Sequence, residues 1–202
     1  MKKKLLMLVV LSVLLLGCSK GTQQNASLGT DSETKTETTA EATAEAESET
    51  DPYIVSFEGK TIEGHTFSSE KFSESKVTMI NVWATYCNPC LMEMPDLGDI
   101  SKEYDKADFQ LIGIISDVME ESPLADQDNA KELIEETEAE YPHLLLNQSI
   151  YDNLLSGVNS VPTTFFVNAK GEMLGYVIGA NNKESWEKII DDLLAKEGVI
   201  DD

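Results

Sequence analysis

Large apolar residues follow three distinct patterns along the 202-residue chain. Residues 5–16 form an uncharged, strongly apolar run behind Lys2, Lys3 and Lys4. In residues 19–51 only Leu28 is large and apolar. From Pro52 onward, short apolar runs recur between polar breaks, as in a folded domain. Residues 53–58 and 61–67 predict a β-hairpin turning at Glu58-Gly59-Lys60. Residues 77–84 predict a buried strand, and 109–115 a second central one. Between them, residues 90–106 carry Met94, Leu97, Ile100 and Tyr104 at helical spacing, with a kink expected at Pro95. An acidic amphipathic helix is predicted over 126–140 with Leu133 and Ile134 inward, a strand over 143–146 and a short helix over 150–155. Strands at 163–167 and 172–178 flank the turn Asn168-Ala169-Lys170-Gly171, and a helix over 183–195 closes the chain. Alternating helices and strands followed by a hairpin and a helix predict an α/β layer architecture with a mixed sheet.

The two N-terminal segments read as targeting and spacing. Three lysines, a twelve-residue apolar run and Gly17 before Cys18 have the order of a secretory signal peptide, and the run is too short to span a membrane. Leu15-Leu16-Gly17-Cys18 resembles the bacterial lipobox, which implies a lipidated Cys18 as the mature N-terminus. Residues 18–51 are Thr, Glu, Ala, Ser and Gln with spread negative charge, and cannot bury enough apolar surface to offset ordering entropy. The expected organisation is therefore a signal peptide over 1–17, a lipidated cysteine with an acidic tether over 18–51, and one folded domain over 52–202.

Charge narrows the partners. With 37 acids against 15 basic residues, all Lys, the net charge is −22, which repels phosphate backbones and argues against nucleic-acid binding. Three cysteines do not make a disulfide-stapled scaffold. Two of them, Cys87 and Cys90, form a Cys-Asn-Pro-Cys motif at a predicted strand-to-helix junction. That placement brings both sulfurs within disulfide reach and sets the first on helix N-terminal amides, where the positive end of the dipole favours a thiolate. Pro89 suits a first helical turn. Cys87 is then the exposed attacking thiolate and Cys90 the more buried resolving thiol. A structural zinc site would have to recruit His65 and His143 at spacings unlike zinc modules. An inert disulfide closing so short a loop would stabilise little, but stays open on the motif alone.

Trp83-Ala84-Thr85-Tyr86-Cys87-Asn88-Pro89-Cys90, followed by Val161-Pro162-Thr163, resembles the thioredoxin superfamily, and within it the TlpA-like (ResA-like) extracytoplasmic branch. The resemblance runs over residues 53–200. It implies a thioredoxin-like fold with an N-terminal β-hairpin and a helical insertion, and thiol–disulfide oxidoreductase activity without a bound cofactor or metal. It implies a cis Pro162 packed against the disulfide, and Val161 pairing with a substrate chain by strand addition. Trp83 and Tyr86 are expected to wall the site, with Trp83 partly in the core. Asn81 stands where thioredoxin has a buried Asp, and Glu93, one helical turn after Cys90, resembles the acid–base group of ResA-like reductases. The implied setting is the extracytoplasmic face of a bacterial membrane. Implied partners are disulfide-containing exported proteins, such as apocytochrome c or a methionine sulfoxide reductase, and a membrane thiol electron donor; the chain is expected to be a monomer. The rivals are a disulfide-forming oxidase, a thiol peroxidase and a non-catalytic binding lipoprotein. A peroxidase is disfavoured because Pro-x-x-x-Thr-x-x-Cys does not precede Cys87.

Overall fold

A computed structural model describes residues 51–198, so the signal-like run, Cys18 and nearly all of the acidic segment lie outside the described residues. Five strands form one mixed sheet in the order β5-β4-β3-β6-β7. Strands β3 (Val77–Trp83), β4 (Phe109–Met119) and β5 (His143–Leu146) run parallel, while β6 (Thr163–Asn168) is antiparallel to β3 and β7 (Met173–Ile178) to β6. All seven residues of β3 are buried, as a central strand covered on both faces requires. Parallel neighbours need crossovers, supplied here by helices α1 (Asn88–Glu103) and α2 (Leu124–Glu136). The antiparallel β6–β7 pair needs only a tight turn. Asn168 Oδ1 accepts the amides of Lys170 and Glu172, and Gly171 takes φ +79°.

Alternation along the strands divides the core in two. Val77, Met79, Trp83, Phe109, Leu111, Ile115 and Phe166 face α1, α2 and the C-terminal helix α4 (Lys183–Lys196). Ile80, Val82, Ile112, Ile114 and Phe165 face the opposite layer. That layer comprises the hairpin, a 3₁₀ helix at Ser69–Glu74, and α3 (Gln148–Ile150), which continues as a π-turn over Tyr151–Leu155. The C-terminal helix buries Trp186, Ile190 and Leu194, three positions of one helical face, while Ile189 and Leu193 are half-buried at its margin.

The α/β fold with a central mixed sheet, an N-terminal hairpin and added helical segments is the one expected. The helix over residues 90–106 starts at Asn88 and runs on through Pro95 to Glu103 as one element. One local reading is corrected. Glu58-Gly59-Lys60 is strand β1, pairing with β2 (Thr66–Ser68), and the turn spans 61–65 around Gly64, whose φ is +89°. Gly59 serves close packing instead, since a Cβ there would sit 2.9 Å from Ile150 Cδ1. The helix expected over 126–140 is α2, which starts at Leu124 and stops at Glu136; Ile134 is buried and Leu133 packs half-buried against the same core as expected, joined by Ala130.

Candidate active site

The central strand delivers the cysteines. After Trp83 the chain leaves the C-terminal end of β3, and Cys87 becomes the N-cap of α1, its sulfur accepting the Cys90 amide at 3.3 Å. Pro89 occupies the first turn, where a missing N–H leaves nothing unpaired. Cys87 and Cys90 are joined in a disulfide with their Cα atoms 5.3 Å apart. Cys90 is fully buried and Cys87 is 5 % exposed. The order of accessibility is as expected, but Cys87 is not an exposed residue in this oxidised form, since its sulfur turns inward to bond Cys90. The loop before it is pinned from β4: Asp117 accepts the amide and hydroxyl of Thr85, and the Ser116 hydroxyl donates to the Trp83 carbonyl.

Glu93 lies one turn beyond Cys90 on α1 and is 2 % exposed. Its Oε1 accepts from Asn81 Nδ2 at 3.0 Å, and its Oε2 accepts from the Asn181 amide at 3.0 Å and Trp186 Nε1 at 3.3 Å. Burial raises its pKa to about 6, against the lowering effect of these three donors and with a small push from Asp96. A carboxyl so placed changes protonation state close to neutrality, as an acid–base group must.

Beneath Glu93 a single cross-strand row interrupts the apolar face. The register aligns Thr164, Asn81, Gly113 and His143 on β6, β3, β4 and β5. Asn81 Nδ2 spends its second hydrogen on Thr164 Oγ1. Gly113 leaves the space into which His143 leans, for a Cβ there would sit 2.2 Å from His143 Nδ1. Across that gap Trp83 Nε1 donates to His143 Nδ1 at 3.0 Å, while His143 Nε2 bonds the Ala139 carbonyl. This pairing sets the tautomer: Nδ1 accepts and Nε2 donates. Burial lowers the histidine to about 4, so the ring is neutral at physiological pH.

Val161 and Pro162 are joined by a cis peptide bond. Val82 pairs with Thr163, so Pro162 lies beside the end of β3 from which the cysteine loop departs. Val161 is half-buried, and Tyr86, next to Cys87, is 74 % exposed. Trp83 lies deeper in the core than expected. It is fully buried with its indole N–H given to His143, so it supports the site from behind and does not form a wall open to a substrate.

Sequence reasoning weighed His143 only as a zinc ligand and gave no site role to Asp117, Thr164, Trp186 or Tyr141. Each acts through a partner on another element, so local spacing carries no sign of it. The available signal was a polar residue at an apolar-face position of a buried strand, as in His143 and Thr164. A groove of about 920 Å³ is lined by Tyr104, Lys106, Phe109 and Tyr141 among others, none of them from residues 83–90. Among the described residues no helix is long and apolar enough to cross a membrane.

Comparison with known proteins agrees with this geometry. The AhpC/TSA family profile matches residues 53–174. A thiol-disulfide oxidoreductase ResA from Oceanobacillus iheyensis is 30% identical over 126 residues, covering 61% of this chain and 60% of the relative, so the chain spans less than two thirds of that protein. A thioredoxin-like protein YneN from Bacillus subtilis is 29% identical, covering 67% of this chain and 75% of the relative. A crystal structure of a thiol:disulfide interchange protein of the thioredoxin family from Chlorobium tepidum superposes with a TM-score of 0.60 at 26% identity, covering 73% of this chain and 99% of that one.

Proposed function

The chain belongs to the AhpC/TSA family, and from that premise we propose that it is a thiol–disulfide oxidoreductase of the ResA type working through Cys87 and Cys90. The observation that carries the reading is the Cys87–Cys90 disulfide at the N-terminus of α1, with a buried carboxylate one turn further along the same helix. In the reducing direction the Cys87 thiolate attacks one sulfur of a substrate disulfide. A mixed disulfide forms, and the other substrate sulfur leaves as a thiolate that takes up a proton. Cys90 then gives its proton to Glu93 and attacks Cys87 Sγ. The mixed disulfide breaks, the substrate leaves with both sulfurs reduced, and the protein is left in the disulfide form. Glu93, ionised for the most part at pH 7 with a pKa of about 6, is matched to receive that proton. A membrane thiol electron donor returns two electrons to the pair. Oxidation of a substrate dithiol is the same path reversed. The uncharged Asn88-Pro89 between the cysteines lacks the histidine associated with strong oxidants, which favours the reductase direction.

Substrate contacts in this reading come from Tyr86 and from the Val161–Pro162 segment, whose backbone adds to an extended substrate chain. Cys18 carries the lipid, residues 18–51 hold the domain away from the bilayer, and the protein works on the extracytoplasmic face on exported proteins such as apocytochrome c or a methionine sulfoxide reductase. Beyond residue 51 there are 29 acids against 10 lysines. That excess favours basic partners and makes their association salt-dependent.

A Cys90→Ser variant tests the reading. It is expected to accumulate a mixed disulfide through Cys87 with its exported substrate, identified by mass spectrometry, and to lose insulin reduction. The wild type failing to reduce insulin with a thiol donor would sink the catalytic reading in favour of a binding lipoprotein. Peroxide turnover exceeding disulfide turnover would favour a peroxidase.

A further inference from the structure

Among the described residues two buried side-chain atoms have no hydrogen-bond partner: Asn81 Oδ1, an acceptor, and Tyr141 Oη, a donor. Both lie on the α1-facing side of the sheet. Asn81 alternates with Met79 and Trp83, which pack in that cluster, and Tyr141 belongs to it directly. Tyr141 precedes His143 by two residues, and their rings are 4.3 Å apart. The Trp83–His143 bond shows that side chains from the β5 side reach β3 across the gap at Gly113. A tyrosine is longer than a histidine, and a phenol stacked on the His143 ring has the length to follow the same diagonal, on which Asn81 stands two residues before Trp83. Burial, and to a smaller extent the Glu93 carboxylate, pushes the Tyr141 phenol up.

A buried donor and a buried acceptor each left unpaired would cost about 1–3 kcal/mol. Polar atoms in such positions are joined by ordered water, which makes two to four bonds. We infer that Tyr141 is a positioning residue for Glu93, its hydroxyl donating through one buried water to Asn81 Oδ1. That bond holds the Asn81 amide in the one orientation that points Nδ2 at Glu93 and Thr164. With the amide reversed, its oxygen would face the carboxylate. The groups around Glu93 are then Asn81 from β3, Tyr141 from the approach to β5, the Asn181 amide and Trp186 from the α4 side, and Cys90 and Asp96 from α1 itself. The consequence for thiol exchange rests on the reading of Glu93 as proton acceptor for Cys90.

The test is Tyr141→Phe, which removes only the hydroxyl. The Glu93 side-chain carboxyl is titrated by carbon-13 NMR in the oxidised protein, where no thiol titrates. Its midpoint is expected to rise by about 0.5–1 pH unit, because the donor that favours the carboxylate weakens. In an Asn81→Leu background the same substitution should produce no such rise. An unmoved midpoint accompanied by a lower melting temperature means a structural role only and overturns the inference. So does a rise of equal size with and without Asn81. Should Asn81→Leu not fold, hydrogen exchange of the Asn81 side-chain amide takes its place: faster exchange in Tyr141→Phe supports the inference and unchanged exchange overturns it. Alkylation of the reduced protein separates the two readings. A Glu93 midpoint that moves without moving the pH profile of the cysteines leaves Tyr141 in place and removes Glu93 from the exchange chemistry.

Discussion

Replacing Glu93 by Gln isolates what the buried carboxylate costs the folded protein. Burial raises this carboxyl from 4.5 to about 6, while in the unfolded chain it returns to the lower value. Between these two pH values the folded state holds a proton that the unfolded state has released. The stability contributed by the group is therefore complete below pH 4.5 and is lost as pH rises through 6, a change of about 2 kcal/mol. Gln has no such proton. The unfolding free energy of Glu93→Gln minus that of the wild type should rise by about 2 kcal/mol between pH 4 and pH 7. The difference is the quantity to measure because His143 works in the opposite sense. Its pKa is lowered from 6.5 to about 4, so its contribution is present above pH 6.5 and is lost on acidification through 4, a change of about 3 kcal/mol. In the wild type the two slopes nearly cancel between pH 4.5 and 6, and the variant should show the histidine slope of about 1.4 kcal/mol per pH unit unmasked. Urea unfolding of the oxidised protein at pH 4, 5, 6 and 7 would measure it, with fluorescence from the fully buried Trp83 and Trp186 as the signal. Stability curves that stay parallel across that range would refute the reasoning, since a carboxyl unperturbed by folding contributes no slope.

Three further outcomes follow, two of them from single contacts. Gly113→Ala places a methyl 2.2 Å from His143 Nδ1, so the ring must leave Trp83; a loss of about 3 kcal/mol in urea unfolding is expected, with the His143 NMR titration midpoint moving up toward 6.5. Asp117→Ala removes both acceptors of Thr85 beside the cysteine loop; insulin reduction should slow by about 2–10-fold with little change in melting temperature, because a charge-assisted bond at an exposed site orders the loop more than it stabilises the domain. Cys18→Ala should release the protein from the membrane fraction while leaving insulin reduction by the domain intact.

Much of the fold was legible because its signals are local. Residues 77–84 carry a continuous apolar run, and β3 formed there; the turn at Asn168-Ala169-Lys170-Gly171 has its bends written into Asn and Gly. The hairpin was misplaced because Gly59 reads as a turn glycine, and only its packing against Ile150 assigns it to close approach and leaves the turn to Gly64. The cysteines and Pro162 were legible from motif alone. The burial of Glu93 was not, because its helical phase behind Cys90 fits a solvated residue of the first turn equally well. Nor were the carboxylate's partners. Trp186 lies 93 residues away and Asn181 lies 88 residues away, and nothing in local periodicity fixes which strand or loop will close over α1.

The exchange of Asp for Asn on β3 gains physical meaning from the row that Asn81 belongs to. An acid on the strand would face Thr164 and the space over Gly113, held by a single element. With Asn81 in that place the amide gives both hydrogens away, to Thr164 and to Glu93, and the ionisable group moves to α1. There it is gripped from β3, from the loop before α4 and from α4 itself. Its protonation therefore depends on how α1 and α4 close on the sheet, as a carboxyl rooted in the strand would not. A partner that shifts Asn181 as it binds beside β7 would remove one donor from Glu93 and raise its proton affinity, which is the direction needed when Cys90 must give its proton up. Titrating Glu93 in the Cys90→Ser mixed disulfide, against the same variant without substrate, would show it: the midpoint should rise on substrate attachment, and a fall would mean that the α4 side tightens on the carboxylate instead.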